Sequence, residues 1–304
     1  MHRVADRDTV ADCHVVALIG VLGLVVTLSC PPTPPPIGMI QIRNLTKVYN
    51  DAVRGSFTAV DEVNLTVHPG QIVGLLGANG AGKTTVLRIL STVLKPTRGV
   101  ATVAGYDVER DSVEVRRSIG FVSNNTAIYD RMTAWEMAWH FGRLHGMAKS
   151  DLTERLDELF TQLRMNDFRD VTAAKMSTGM RQKVSIARAL VHDPSVLIFD
   201  EATLGLDVLV ARNLLEVIAM LRQSGKTILF STHIMSEVER LCDRVAVMHR
   251  GRILDCGSID ELRSRHGQDN MEDLFFELLR REEHQSGYAA AMGIEVPQSV
   301  SVVE

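Results

Sequence analysis

Neither sign of charge dominates this chain of 304 residues. Its 33 Lys and Arg face 37 Asp and Glu, for a net charge of −4. That balance excludes the basic footprint of a nucleic-acid-binding surface, so no nucleic acid is expected as a partner. Cysteine is scarce. Cys13, Cys30, Cys242 and Cys256 are scattered and form no Cys-x-x-Cys pair. That excludes a zinc cluster and a disulfide framework and fits a reducing compartment. Long apolar runs are missing too. Val15 to Cys30 is interrupted by Gly20 and Gly23, and it falls short of the roughly 20 residues that span a bilayer. Arg3 and Arg7 ahead of it sit among Asp6, Asp8 and Asp12, without the positive flank or cleavage site of a secretory signal. Pro31-Pro32-Thr33-Pro34-Pro35-Pro36 then breaks regular structure. Residues 1–38 therefore read as a leader outside the fold. The favoured reading places the true start at Met39; a membrane anchor and a folded extra helix are the alternatives. No internal repeat is visible.

What the chain does have is Gly77-Ala78-Asn79-Gly80-Ala81-Gly82-Lys83-Thr84-Thr85. These residues fit G-x-x-x-x-G-K-[ST], a phosphate-binding loop. Ile72 to Leu76 before it is short and apolar like a buried strand, and Thr85 to Leu90 after it reads as a helix. Glycines at such a strand-to-helix turn let main-chain amides approach phosphates at a helix N-terminus. Lys83 is expected to reach the β- and γ-phosphates, and Thr84 to place its hydroxyl on Mg²⁺. A second half of the site follows. Val196 to Phe199 reads as a buried strand ending in Asp200 and Glu201. Asp200 suits the Mg²⁺ hydration shell, and Glu201 suits orienting or deprotonating the attacking water. Alternation along a strand would point the two carboxylates apart. Thr227 to Phe230 is a further buried strand that runs through Ser231 and Thr232 to His233, within reach of a γ-phosphate. Tyr49, upstream of the loop, is placed to stack on an adenine ring.

The rest of the chain alternates strands and helices. Ile40 to Ile42 and Ala59 to Val67 alternate as strands, the latter offering Val60, Val63, Leu65 and Val67 to a core, with residues 50–58 read as a polar loop. Thr133 and Glu136 make a capping box for a helix that carries Trp135 and Trp139, the chain's two tryptophans. Leu152, Leu156, Leu159, Phe160 and Leu163 recur at helical spacing after it. Core packing is the expected fate of these aromatics, contact with a partner the alternative.

These motifs, in this order, resemble the ATP-binding subunit of ABC transporters over roughly Met39 to Glu283. The resemblance implies an α/β P-loop NTPase fold of the ABC type. Its central, mostly parallel sheet would carry an N-terminal antiparallel β subdomain, a helical insert over about 130–172 and a closing helix over about 268–283. Residues 284–304 would be a weakly ordered tail. It further implies that the whole of Gly77 to Thr85 holds ATP and that His233 is the switch histidine. Ser177 and Gly179, in Met176-Ser177-Thr178-Gly179-Met180, stand where the family's signature lies and would face ATP held by a partner's phosphate loop. Leu204-Gly205-Leu206-Asp207 looks like the D-loop, which adds Asp207 to the nucleotide-binding set. Asn124 stands where the family has its Q-loop glutamine, beside Mg²⁺ and the water. Thr178, Met180, Asn124 and Leu204 depart from the family pattern. A β-branched Thr178 is expected to narrow the backbone choices of the signature.

The implied function is Mg²⁺-dependent ATP hydrolysis that energises transport. The implied partners are a second nucleotide-binding subunit, in a homodimer, and an integral membrane permease, at the cytoplasmic face of the membrane. Ile119 to Ser123, Tyr129 to Thr133, Ser177 to Lys183 and Asn270 to Phe275 resemble the bacterial sodium-exporter and multidrug-exporter type. A slow or regulatory ATP-binding subunit, and a soluble non-transport ABC protein, are the competing readings. A small-molecule kinase would need neither the signature nor His233.

Overall fold

The computed structural model describes residues 39–51, 55–123 and 128–291. The leader expected over 1–38 and Asn124 lie outside the described residues.

The described residues open with a long hairpin, β1 (Ile40–Asp51) and β2 (Gly55–Val67). The register pairs Tyr49 with Phe57, Asn50 with Ser56 and Asp51 with Gly55. Most of the expected loop over 50–58 is therefore paired strand. Its polar composition misled because hairpin ends face solvent on both sides and need no apolar alternation. Farther along, Val60, Val63, Leu65 and Val67 are all buried, as their alternation predicts. The chain continues through β3 (Ile72–Leu76), α1 (Lys83–Leu90), β4 (Arg98–Val103), β5 (Tyr106–Asp107), α2 (Ser112–Ser118) and β6 (Ile119–Ser123). Strands β2, β1, β4 and β5, in that order, form a four-stranded antiparallel sheet.

The helical insert contains α3 (Ala134–Leu144) and α4 (Lys149–Gln162), and leads through two short 3₁₀ turns into α5 (Thr178–Leu190). Thr133 and Glu136 form the expected reciprocal capping box on α3. Then follow β7 (Val196–Asp200), α6 (Val208–Gln223), β8 (Thr227–Thr232), α7 (Met235–Leu241), β9 (Arg244–His249), β10 (Arg252–Gly257), α8 (Ile259–His266) and α9 (Met271–Ala291). Helix α9 thus continues past the end expected at 283.

The second sheet has the order β10-β9-β3-β8-β7-β6. Its pairs from β9 through β6 are parallel, and β9–β10 is an antiparallel hairpin. Every residue of β3, β7 and β8 is buried, as a parallel sheet covered on both faces requires. Neighbours along each strand feed opposite layers. Leu197, Phe199, Ile228 and Phe230 pack with the helical insert, and Val196, Ile198 and Leu229 with α1 and the antiparallel sheet. Each fully buried Phe contributes about 1.5–3 kcal/mol relative to exposure. Leu274, Phe275 and Leu278 of α9 pack with Leu76, Val245 and Val247 on a third cluster. Trp135 is half-buried, edge-on to Phe160 at 5.3 Å, with the Arg169 guanidinium 3.9 Å from its ring centre. Among the described residues no helix is long and apolar enough to cross a membrane.

Candidate active site

The register of the parallel sheet brings the sequence motifs to one edge. Leu76 pairs with Thr232, Asp200 with Ser231, and Ser123 with Asp200, so the C-terminal ends of β3, β8, β7 and β6 lie level. The loop from β3 to α1 opens on this edge. Gly77 is confined: a Cβ there would lie 2.3 Å from the carbonyl oxygen of Met248. Gly82 caps α1 with φ 103, and its Cβ would lie 2.5 Å from the carbonyl oxygen of Ala59. These close backbone approaches leave room only for glycine. A loop held this way ahead of a helix N-terminus can form a cradle of amides suited to phosphate. Lys83 is buried at the base of the cradle. Its Nζ donates to the carbonyls of Gly77 at 2.7 Å and Ala78 at 3.0 Å, and it pairs with Glu201 Oε1 at 3.1 Å. Ala78, Asn79 and Gly80 are exposed at the loop tip, and Thr85 is half-buried on α1.

Asp200 Oδ1 accepts from Thr84 Oγ1 at 3.1 Å and from Ser231 Oγ at 2.9 Å. A hydroxyl and a carboxylate held together offer hard oxygen ligands, the donor set that suits Mg²⁺. The strand ends at Asp200, and Glu201 adopts a left-handed conformation with φ 46. Strand alternation therefore does not separate the two carboxylates; a turn of the chain does. That conformation costs about 1–2 kcal/mol for a residue with a Cβ. It is retained because Glu201 N–H is held by Ser231, at 3.1 Å to Oγ and 3.2 Å to the carbonyl. Glu201 Oε2 lies 3.7 Å from His233 Nδ1. Ser231 was not singled out by the sequence, although it stands two residues before His233. Glu237 was also missed. It is buried and accepts from Thr232 Oγ1 at 2.6 Å, and Thr232 Oγ1 in turn accepts from Ile234 N–H. That chain of bonds fixes the backbone on both sides of His233.

The remaining candidates fall into two other groups. Ser177 caps α5, accepting from Met180 N–H, and Gly179 packs against Val210 so closely that a Cβ there would lie 3.2 Å from Val210 Cγ2. Asp207 caps α6, accepting from Leu209 and Val210 N–H at 3.0 Å each. Gly179 and Asp207 thus flank the start of α6, with Ser177 at the start of α5. Thr178 is the first residue of α5. Tyr49 sits apart on β1, stacked on Phe57 with ring centres 5.2 Å apart and with Lys47 Nζ 5.4 Å from its ring. Phe57 is a partner that the sequence reading did not identify, since it fell in the expected loop.

The ABC transporter family model matches residues 60–204, from the hairpin through Glu201. The chain is 40% identical to the ABC transporter ATP-binding protein NatA of Bacillus subtilis, over 80% of this chain and 99% of that protein. It is 37% identical to the Nod factor export ATP-binding protein I of Cupriavidus metallidurans, over 74% of this chain and 72% of that protein. Among solved structures it is similar to the dimeric ATP-binding cassette MJ0796 in a post-hydrolysis state with ADP and Pi. There the TM-score is 0.65 and the identity 26%, covering 73% of this chain and 99% of that one. A phosphate-loop strand, a carboxylate strand and a helical insert in this arrangement, together with a near-complete match to NatA, place the chain in the family of ABC transporter ATP-binding subunits, the ATP-binding and hydrolysing domains that energise a transporter.

Proposed function

We propose that this chain is the ATP-hydrolysing subunit of an exporter and works as a homodimer on the cytoplasmic face of a membrane, coupled to a separate integral membrane permease. The observation that carries the reading is the convergence of Lys83, Thr84, Asp200, Glu201 and His233 at one edge of the sheet. In this reading Gly77 to Thr85 wrap the phosphates, and Lys83 meets the β- and γ-phosphates. Thr84 and Asp200, with Asn124, hold Mg²⁺, which when bound offsets charge on the β- and γ-phosphate oxygens. Glu201 orients and deprotonates the attacking water, beside Lys83 and His233. Tyr49 stacks on the adenine.

Ser177 and Gly179 share no hydrogen bond or ion pair with Lys83 or Thr84 among the described residues. A second copy that presents them to the bound ATP completes the site, and similarity to a dimeric cassette with ADP and Pi supports that arrangement. The open face of α3, with Trp135, Trp139 and Arg143, and Arg131 just ahead of it, is the surface offered to the permease. Similarity to a Nod factor export protein supports outward transport. Mild detergent extraction of the membrane with tagged chain tests the reading. An integral membrane protein should be recovered with it, and the complex should turn over ATP steadily. Recovery of ribosomes or nucleic acid instead, or ATP binding without turnover, would overturn it.

A further inference from the structure

The proposed nucleotide contacts come from two different sheets. Tyr49 belongs to the antiparallel sheet, and the phosphate loop grows out of the parallel one. A bound nucleotide has to touch both at once, so its affinity depends on how firmly the two sheets are held at one separation.

Besides the apolar core they share, a backbone bridge joins them beside the phosphate loop. The turn between β9 and β10 carries Gly251, whose N–H donates to the Ala81 carbonyl in the phosphate loop at 2.9 Å. The Gly251 carbonyl accepts from Asp61 N–H on β2 at 2.8 Å. One residue therefore bridges the loop to the antiparallel sheet. The surrounding backbone leaves no slack. Gly251 has φ 82, and a Cβ there would lie 3.0 Å from the Ala59 carbonyl oxygen. The same oxygen blocks a Cβ on Gly82, and the Met248 carbonyl blocks one on Gly77. A side-chain pair locks the joint from outside. Asp61 Oδ2 accepts from Arg252 Nε at 2.7 Å and from its terminal nitrogen at 2.5 Å, with Asp61 20% exposed. Asp61 follows Val60, which pairs with Lys47, two residues before Tyr49. The clamp thus acts on the part of the hairpin that carries the ring.

We propose that Asp61 and Arg252 are positioning residues for nucleotide binding: their two-pronged pair sets the span between the Tyr49 ring and the phosphate loop. The proposal rests on the reading of Tyr49 as the adenine platform. Two guanidinium nitrogens converge on the one oxygen Asp61 Oδ2 and hold the Arg252 head group there by two contacts, where a Lys would offer a single point charge. Arg252 is 52% exposed, so the ion pair by itself adds little stability; what matters is where it holds β2 relative to the Gly251 turn. Holding two binding elements in their bound geometry raises affinity by lowering the ordering cost of association.

The test compares a ligand that needs the span with one that does not. Mg²⁺–ATP engages both ends, and inorganic tripolyphosphate engages only the phosphate loop. Calorimetry on the full chain would measure both ligands for the wild type, Asp61→Asn, Arg252→Lys, Tyr49→Ala and the double variant Asp61→Asn/Tyr49→Ala. Asp61→Asn and Arg252→Lys should each weaken ATP roughly tenfold, which corresponds to about 1.4 kcal/mol. Tripolyphosphate affinity should stay at the wild-type level, which also shows that the variants are folded. The double variant should be no weaker for ATP than Tyr49→Ala alone, because the clamp acts through that ring. Equal losses for both ligands, or additive losses in the double variant, would overturn the proposal. So would wild-type ATP affinity in Asp61→Asn and Arg252→Lys while Tyr49→Ala is weakened; Tyr49 would then keep its role. If Tyr49→Ala binds ATP normally, the platform reading fails and the clamp falls with it.

Discussion

Thr84 and Asp200 are 116 residues apart in sequence, yet Thr84 Oγ1 donates to Asp200 Oδ1 at 3.1 Å. Strand β8 lies between β3, which leads into the helix of Thr84, and β7, which ends at Asp200, and it supplies Ser231 to the same oxygen. Asp200 is thereby held by two hydroxyls in the place proposed for the Mg²⁺ shell. Asp200→Asn keeps the size of the side chain and removes the charge. The Mg²⁺ concentration giving half-maximal ATPase activity should rise by roughly 10–100-fold, as for changes to the shell around a bound metal. Nucleotide binding measured in EDTA should change little. A Mg²⁺ titration that superimposes on the wild type would remove Asp200 from that role.

Two glycines of the phosphate loop separate conformational strain from steric exclusion. Gly80 and Gly82 both have positive φ, 80 and 103. A Cβ on Gly80 meets nothing within 4 Å, whereas on Gly82 it lies 2.5 Å from the Ala59 carbonyl and 2.8 Å from Met248 Cε. Gly80→Ala should therefore cost only the left-handed backbone penalty of about 1–2 kcal/mol. Gly82→Ala adds a clash with main chain that cannot move aside without shifting β2. Thermal melts should rank Gly82→Ala well below Gly80→Ala, and Gly82→Ala should lose more ATP affinity. Equal melting temperatures would contradict the steric argument.

The setting of the phosphate loop was legible because it is local: nine consecutive residues form it, with an apolar strand before and a helix after. Asp200, Glu201 and His233 were legible for a related reason, since each stands at the end of a short apolar strand. What the sequence concealed was non-local or conformational. Ser231 matters because β8 happens to lie between β3 and β7. The left-handed turn at Glu201 leaves no compositional trace, because glutamate is an ordinary residue there. Phe57 and the strand around it were hidden by polar neighbours at a hairpin end. The meeting of Ala59, Gly82 and Gly251 joins three segments far apart in sequence, and no local pattern signals a backbone contact of that kind.

His145, at the end of α3, stacks on His192, just beyond α5, with ring centres 3.6 Å apart and planes 5° from parallel. Burial, then the charge of His145, push the His192 imidazole down to about 4, against the opposing pull of the Ile119 carbonyl and Asp193; burial also lowers His145. Between pH 6.5 and 4 the unfolded chain takes up a proton at residue 192 that the folded chain refuses. Stability at this site is therefore complete above about pH 6.5 and declines as pH falls toward 4. His192→Phe keeps a flat ring in the stack and removes the titration. Melting temperatures recorded from pH 7.5 to 4.5 should fall more steeply for the wild type than for His192→Phe. Parallel curves would show that this stack is not a source of acid sensitivity.

Glu201 makes the sharpest test of both chemistry and assembly. Its carboxylate lies between Lys83, 3.1 Å away, and His233, 3.7 Å away, at the edge where the phosphate loop opens. Glu201→Gln keeps the shape and the backbone bonds to Ser231 but cannot take a proton from water. ATP binding should survive, because Lys83, Thr84 and Asp200 remain in place. Hydrolysis should fall by roughly 10²–10⁴-fold, the range for loss of a general base. Slow hydrolysis then reports on the dimer. If Ser177 and Gly179 of a second copy cover the bound ATP, trapped nucleotide bridges two chains and stabilises only the closed pair. Size-exclusion chromatography with light scattering should show the variant as monomer without nucleotide, dimer with ATP and monomer with ADP. Wild-type hydrolysis by Glu201→Gln would remove this residue from the reaction. A slow variant that binds ATP and stays monomeric at high protein concentration would leave Glu201 its role and take Ser177 and Gly179 out of the site.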